Sequence, residues 1–187
     1  MAQVRPLRAD ARRNRERLLE VAAEAFAEQG EGASLDDIAR RAGVGSGTLY
    51  RHFPTRRALL EAVYADRIAV LAARGGDLAD RLPPGPALRA WLEELGAGMI
   101  RVRGLKALLG PAVGGGGDGG PGCCEPLLGA ARLLVGAAQE AGALRRDVGP
   151  VDVLRLVHGV ATASELADGE GDDVRRYVGL LVEGLRP

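Results

Sequence analysis

The chain has 187 residues, with 25 Lys and Arg against 25 Asp and Glu for a formal net charge of zero, and is 47% hydrophobic and 27% charged. That length suits one ordinary domain or a small domain joined to a larger one, and the composition excludes a disordered chain. Zero net charge announces no polyanion partner, and neither a signal-like N-terminus nor an apolar run of spanning length occurs, so a soluble cytoplasmic protein without a membrane partner is expected.

Residues 1–10 read as a short arm carrying Arg5 and Arg8. From about Ala11 to Gln29 the pattern is helical: Leu18, Ala22, Ala25, Phe26 and Gln29 recur at spacings of three and four, with Glu16, Glu20, Glu24 and Glu28 opposite, and Gly30 ends the helix. Ser34 then caps a second helix with Asp37 three residues on, its inner stripe being Leu35, Ile38, Ala39 and Ala42. A third short helix covers Ser46 to His52. Pro54 breaks it, and Thr55 caps a fourth that runs to about Arg74.

Gly75-Gly76 and the Pro83–Pro86 stretch read as a break. Helices are expected beyond it at about 87–103, 104–110, 126–142, 150–167 and 172–185. No stretch alternates with period two, so the fold class is all-α. Pro111 to Gly122 is mostly glycine and reads as a mobile loop. Its formal G-x-G-x-x-G match at Gly114, Gly116 and Gly119 follows no strand, which a dinucleotide site would need. The adjacent Cys123 and Cys124 suit neither a disulfide framework nor a metal site, point to a reducing compartment, and are expected to be open to thiol reagents.

The stretch SLDDIARRAGVGSGTLYRHF meets the requirements of a helix-turn-helix. Ala39 is the small residue at the helix crossing, Gly43 suits a left-handed turn, Val44 can drop inward from it, and Ile38, Leu49 and Phe53 fasten the unit. Arg40, Arg41, Arg51, Arg56 and Arg57 follow one another with no acidic residue before Glu61, and six arginines stand among the first seventeen residues. A neutral chain thus places its positive charge where phosphate counterions would be displaced.

RERLLEVAAEAFAEQG followed by SLDDIARRAGVGSGTLYRHFPTRRALLEAVY resembles the N-terminal domain of the TetR family of transcriptional regulators over about residues 12–67. The resemblance implies a three-helix helix-turn-helix DNA-binding domain (1–54) and a helical ligand-sensing and dimerisation domain (55–187). It also implies a homodimer on a palindromic double-stranded DNA operator, usually a repressor released by a small-molecule effector. Carried onto this sequence, Thr48, Tyr50 and His52 face DNA, with Tyr50 and His52 mainly on phosphates, and Arg51 belongs to the same surface. Ser46 and Gly47 lie nearest the base edges. Thr55 and Arg56 stand at the next helix start, where Arg56 can replace the family's usual Lys and Thr55 offers an anion site. Gly45 replaces a common capping Ser, which Gly can do.

The remainder resembles the family's second domain only in outline. The helix from Val151 to Leu166 is apolar nearly all round, which requires cover on more than one side. Leu156 and Val160 there, with Tyr177 and Leu181 on the last helix, are expected in a two-fold interface between copies, with Gly179 and Gly184 allowing close approach. Trp91, Leu92, Leu95, Met99, Leu127, Leu128 and Leu134 are candidates to line an effector pocket or to be plain core. His158 is expected to serve packing or the interface. Neither catalytic residues nor metal ligands nor a cofactor are expected. The competing readings are a DNA-binding regulator without a small-molecule effector and an all-helical enzyme.

Overall fold

The computed structural model describes residues 5–114, 124–166 and 171–187. Every regular element among them is helical: α1 Arg5–Gln29, a 3-10 turn Gly30–Gly32, α2 Leu35–Arg41, α3 Ser46–His52, α4 Arg56–Arg81, α5 Pro84–Arg101, α6 Arg103–Gly114, α7 Glu125–Glu140, α8 Pro150–Leu166 and α9 Gly171–Gly184. By packing, the chain divides into two units, Met1–Ala65 and Asp66–Pro187. The division falls inside α4 rather than between residues 54 and 55, because buried Leu59 and Leu60 belong to the first unit.

In the first unit Leu18, Ala22 and Phe26 of α1, Ile38 and Ala39 of α2, and Leu49 and Phe53 at α3 are buried together with Leu59. The helix ends follow their caps. Ser34 Oγ accepts from the amide of Asp37 at 3.3 Å, and Thr55 Oγ1 accepts from that of Ala58 at 3.0 Å. Gln29 is exposed rather than inward-facing, and Val44 is half-buried. The expected arm is helical from Arg5, since Pro6 in a first turn loses no intrahelical bond.

The second unit centres on α5, which packs against α6, α7, α8 and α9. Its buried face presents Leu88, Trp91, Leu92, Leu95 and Met99, and the Trp91 indole donates to the carbonyl of Leu71 at 2.8 Å. The break expected at Gly75-Gly76 does not occur. α4 continues through both residues because Gly75 is a packing residue, where a Cβ would sit 2.9 Å from Ala130 Cβ and 3.3 Å from Trp91 Nε1. Gly96 serves α5 and α9 in the same way, with Val174 Cγ1 at 2.8 Å from where a Cβ would be.

The glycine-rich segment expected to be a loop begins inside α6, whose helix reaches Gly114, and the rest of it lies outside the described residues, as does Cys123. Cys124 is fully buried, so its expected accessibility is corrected. Its Sγ lies 3.6 Å from the carbonyl oxygen of Leu108 on α6.

Candidate nucleic-acid interface

The turn between α2 and α3 is built by the backbone. Gly43 adopts φ +70°, a conformation costly for any residue with a Cβ, and its amide donates to the carbonyl of Arg40 at 3.1 Å. The Val44 amide donates to Ala39 at 3.0 Å, and the Gly45 carbonyl accepts from Thr48 at 2.8 Å, starting α3 without a side-chain cap. Leu49 and Phe53, four residues apart, point inward. That register leaves Gly47, Tyr50 and Arg51 exposed, with Ser46, Thr48 and His52 half-buried beside them. Tyr50 is 46% exposed, a large side chain with about half its surface open to the outside.

The polar groups of this face are partly engaged. Arg51 Nη2 donates to Thr48 Oγ1 at 3.0 Å, so the Thr48 hydroxyl keeps its own proton for an outside acceptor. The Ser46 hydroxyl donates to Asp36 Oδ1 on α2 at 2.7 Å. The His52 ring lies 6.2 Å from that of Phe53, tilted by 46°. Among the described residues nothing lies within 4 Å of where a Cβ on Gly47 would be, so their packing gives no reason for glycine there.

Folding also alters the charge pattern read from sequence. Arg40 pairs with Asp37 at 2.6 Å, and that hydrogen bond, aided by the carboxylate's charge, raises the Arg40 pKa above its ordinary value. Arg41 bridges Glu24 and Glu28 of α1 at 3.1 and 3.2 Å, pinning α2 to α1. Arg57 pairs with Glu61 at 2.9 Å. Arg56 Nη1 donates to the carbonyl of Ala33 at 2.6 Å, which makes it a strut of the fold before it is anything else. Three of the five arginines are therefore paired with carboxylates: Arg40 and Arg57 with Asp37 and Glu61 one turn away, and Arg41 with Glu24 and Glu28, which the fold brings from α1.

The structure adds basic groups that the motif did not single out. Arg15 lies over the Phe53 ring, 5.4 Å from its centroid, and Arg17 Nη2 would be 3.4 Å from a Cβ on Gly43. Both are exposed and stand over the turn and the end of α3. Their only sequence signal was the N-terminal arginine count, which assigns no position. Asp36, which the sequence analysis did not single out, meets Ser46 only through the crossing of α2 and α3.

In the second unit the candidates for an effector pocket are core. Trp91, Leu95, Met99 and Leu127 have no exposure and Leu128 has 6%, with the Trp91 N–H already bonded to Leu71. Open space described in this unit lies on other surfaces. A groove of about 900 Å³ runs between the start of α5 and the end of α9, bordered by Pro86, Arg89, Ala143, Val182 and Arg186. A smaller hollow of about 470 Å³ lies along Ala97 and Ile100. Neither is lined by the five named residues.

The interface candidates differ in exposure. Leu156 is 40% exposed, and Val160, Tyr177 and Leu181 are half-buried. Leu180, next to Leu181 on α9, is 59% exposed and was not among the candidates. Gly179 is buried against Arg89, whose Nη2 would be 3.1 Å from a Cβ there, so its smallness serves α5–α9 packing. His158 lies against α6, with Nε2 3.4 Å from where a Cβ on Gly110 would be. Among the described residues no group of His, Cys, Asp or Glu could hold a metal ion, and no helix is long and apolar enough to cross a membrane.

Comparison with known proteins agrees with this geometry over both units. Residues 18–63 match the model described as bacterial regulatory proteins, tetR family, and residues 83–187 match that of the transcriptional regulator SbtR-like C-terminal domain. The uncharacterized HTH-type transcriptional regulator TtgW of Pseudomonas putida is 45% identical over 60 residues, 32% of this chain and 45% of that protein. An HTH-type transcriptional regulator of Staphylococcus aureus is 50% identical over 48 residues, 25% of this chain and 26% of its own. The chain thus spans less than half the length of these curated relatives. The crystal structure of a TetR transcriptional regulator from Streptomyces coelicolor is 38% identical, covering 92% of this chain and 98% of that one, with a TM-score of 0.56. The regulator FadR from Bacillus subtilis, solved in complex with stearoyl-CoA, shares the fold at a TM-score of 0.64 and 16% identity, covering 91% of this chain and 99% of its own.

Proposed function

The chain belongs to the TetR family of DNA-binding transcriptional regulators, and from that premise we propose that it is a homodimeric repressor of a palindromic operator, released by a small molecule. The observation that carries this reading is the outward face of α3. Gly47, Tyr50 and Arg51 are exposed on a helix whose inner residues Leu49 and Phe53 are buried. A short helix held this way enters the major groove with its N-terminal residues on base edges.

Tyr50, His52 and the Thr48 hydroxyl then position the protein on phosphates, with Arg51 and Thr55 beside them, while Ser46 and Gly47 approach the bases. Gly47, which no contact among the described residues requires, leaves room for the duplex. Arg56 contributes mainly by holding the start of α4. The exposed and half-buried side chains of Leu156, Val160, Tyr177, Leu180 and Leu181 support dimerisation through α8 and α9. The protein acts in the cytoplasm, without catalysis and without a cofactor.

A regulator that needs no effector is favoured by one observation. The residues expected to line an effector pocket are buried, and the Trp91 N–H is satisfied internally. The deciding experiment selects bound fragments from genomic DNA with the full chain and screens metabolites for release. Fragments sharing a palindrome and a compound that releases them support the repressor reading. A palindrome that no compound releases supports the second.

A further inference from the structure

We propose that Asp36 is a specificity determinant: by taking the proton of the Ser46 hydroxyl it turns the start of α3 into an acceptor-only reader, selecting a cytosine or adenine amino group at one operator position. The inference rests on the reading of α3 as the helix that enters the major groove. The Ser46 Oγ to Asp36 Oδ1 distance is 2.7 Å, a bond of the short, charge-assisted kind. A serine hydroxyl carries one proton and two lone pairs. With the proton committed to Asp36, Ser46 has only lone pairs left to present.

Asp36 is exposed, and its Oδ2 has no partner among the described residues. A carboxylate likewise only accepts. Two neighbouring groups on two helices of one helix-turn-helix thus show the same polarity to whatever lies before them. In the major groove the matching donors are the N4 amino group of cytosine and the N6 amino group of adenine, whereas guanine and thymine offer acceptors at the corresponding edge. A carboxylate pairs particularly well with cytosine N4, so cytosine is preferred. Other acidic groups nearby do not share this role: Asp37 is held by Arg40, and Glu24 and Glu28 by Arg41.

The test is selection from a randomised duplex library by the full-length wild type, Asp36→Asn and Ser46→Ala. Asp36→Asn keeps the shape but replaces one carboxylate oxygen with an NH2 that donates, and it removes the charge that holds the Ser46 proton. We expect the wild type to enrich a motif with cytosine or adenine at one position of each half-site. Both variants should lose that preference, the discrimination at that position falling about tenfold or more, while the other positions are enriched as before. Circular dichroism of each variant confirms that folding is retained. A wild-type motif reproduced at every position by Asp36→Asn overturns this inference alone. Failure of the wild type to enrich any motif overturns the DNA-reading role of α3, and this inference with it.

Discussion

Arg56 Nη1 donates a 2.6 Å hydrogen bond to the carbonyl oxygen of Ala33, joining the start of α4 to the turn before α2 across 23 residues of sequence. Hydrogen bonds from charged groups contribute about 1.5–3 kcal/mol, less where water competes. Arg56→Ala should therefore destabilise the helix-turn-helix by about 1–2 kcal/mol, read as lost amide-exchange protection over residues 33–53. Unchanged protection with weakened DNA binding would make Arg56 a phosphate contact and not a strut.

Gly75 and Gly76 give a second test within one helix. Alanine at either gains up to about 1 kcal/mol of helix propensity. At Gly75 the new Cβ would meet Ala130 Cβ at 2.9 Å, whereas nothing lies within 4 Å at Gly76. Overpacking of that kind costs about 1–3 kcal/mol. Gly76→Ala should raise the denaturation midpoint, and Gly75→Ala should lower it, both followed by the fluorescence of Trp91. Equal midpoints for the two variants would show that α4 does not approach Ala130 as closely as described.

The exposed leucines of α8 and α9 bear on assembly. Leu156→Glu and Leu180→Glu each place a charge on an outward surface, so neither should disturb the fold of its own chain. Both should shift the protein from dimer to monomer in sedimentation at micromolar concentration. A wild-type monomer, or a Leu180→Glu dimer as stable as the wild type, would remove this surface from the interface.

Cys124 provides a check on the second unit's core. It is fully buried, so alkylation there in the native state should be slow and should become fast in denaturant. Site-resolved mass spectrometry after a timed pulse of iodoacetamide measures it. Native-state labelling as rapid as in denaturant would contradict the packing of α6 against the start of α7.

Much of this was legible in the sequence, for particular physical reasons. Ser34, Gly43 and Thr55 act locally, through a cap bond or a backbone angle, and each does in the structure what its residue type implies. The register of α3 followed from the four-residue spacing of Leu49 and Phe53. What sequence could not show depends on which distant groups meet. Gly75 reads as a break until Ala130 and Trp91 are seen against it. Arg41 reads as free charge until α1 brings Glu24 and Glu28 to it. The same holds for Ser46 and Asp36, ten residues apart and joined only by the crossing of α2 and α3.

The central claim is that the outward face of α3 binds duplex DNA. The most direct measurement titrates the full chain, its Tyr50→Ala and its His52→Ala variants against a library-selected duplex and a scrambled one, at two salt concentrations. We expect the wild type to bind both, the selected duplex more tightly, with affinity falling steeply as salt rises. Each variant should lose about three- to tenfold on both duplexes alike, because phosphate contacts carry no sequence information. Variants that bind both duplexes as the wild type does would contradict the account, as would a wild type that binds neither at low salt.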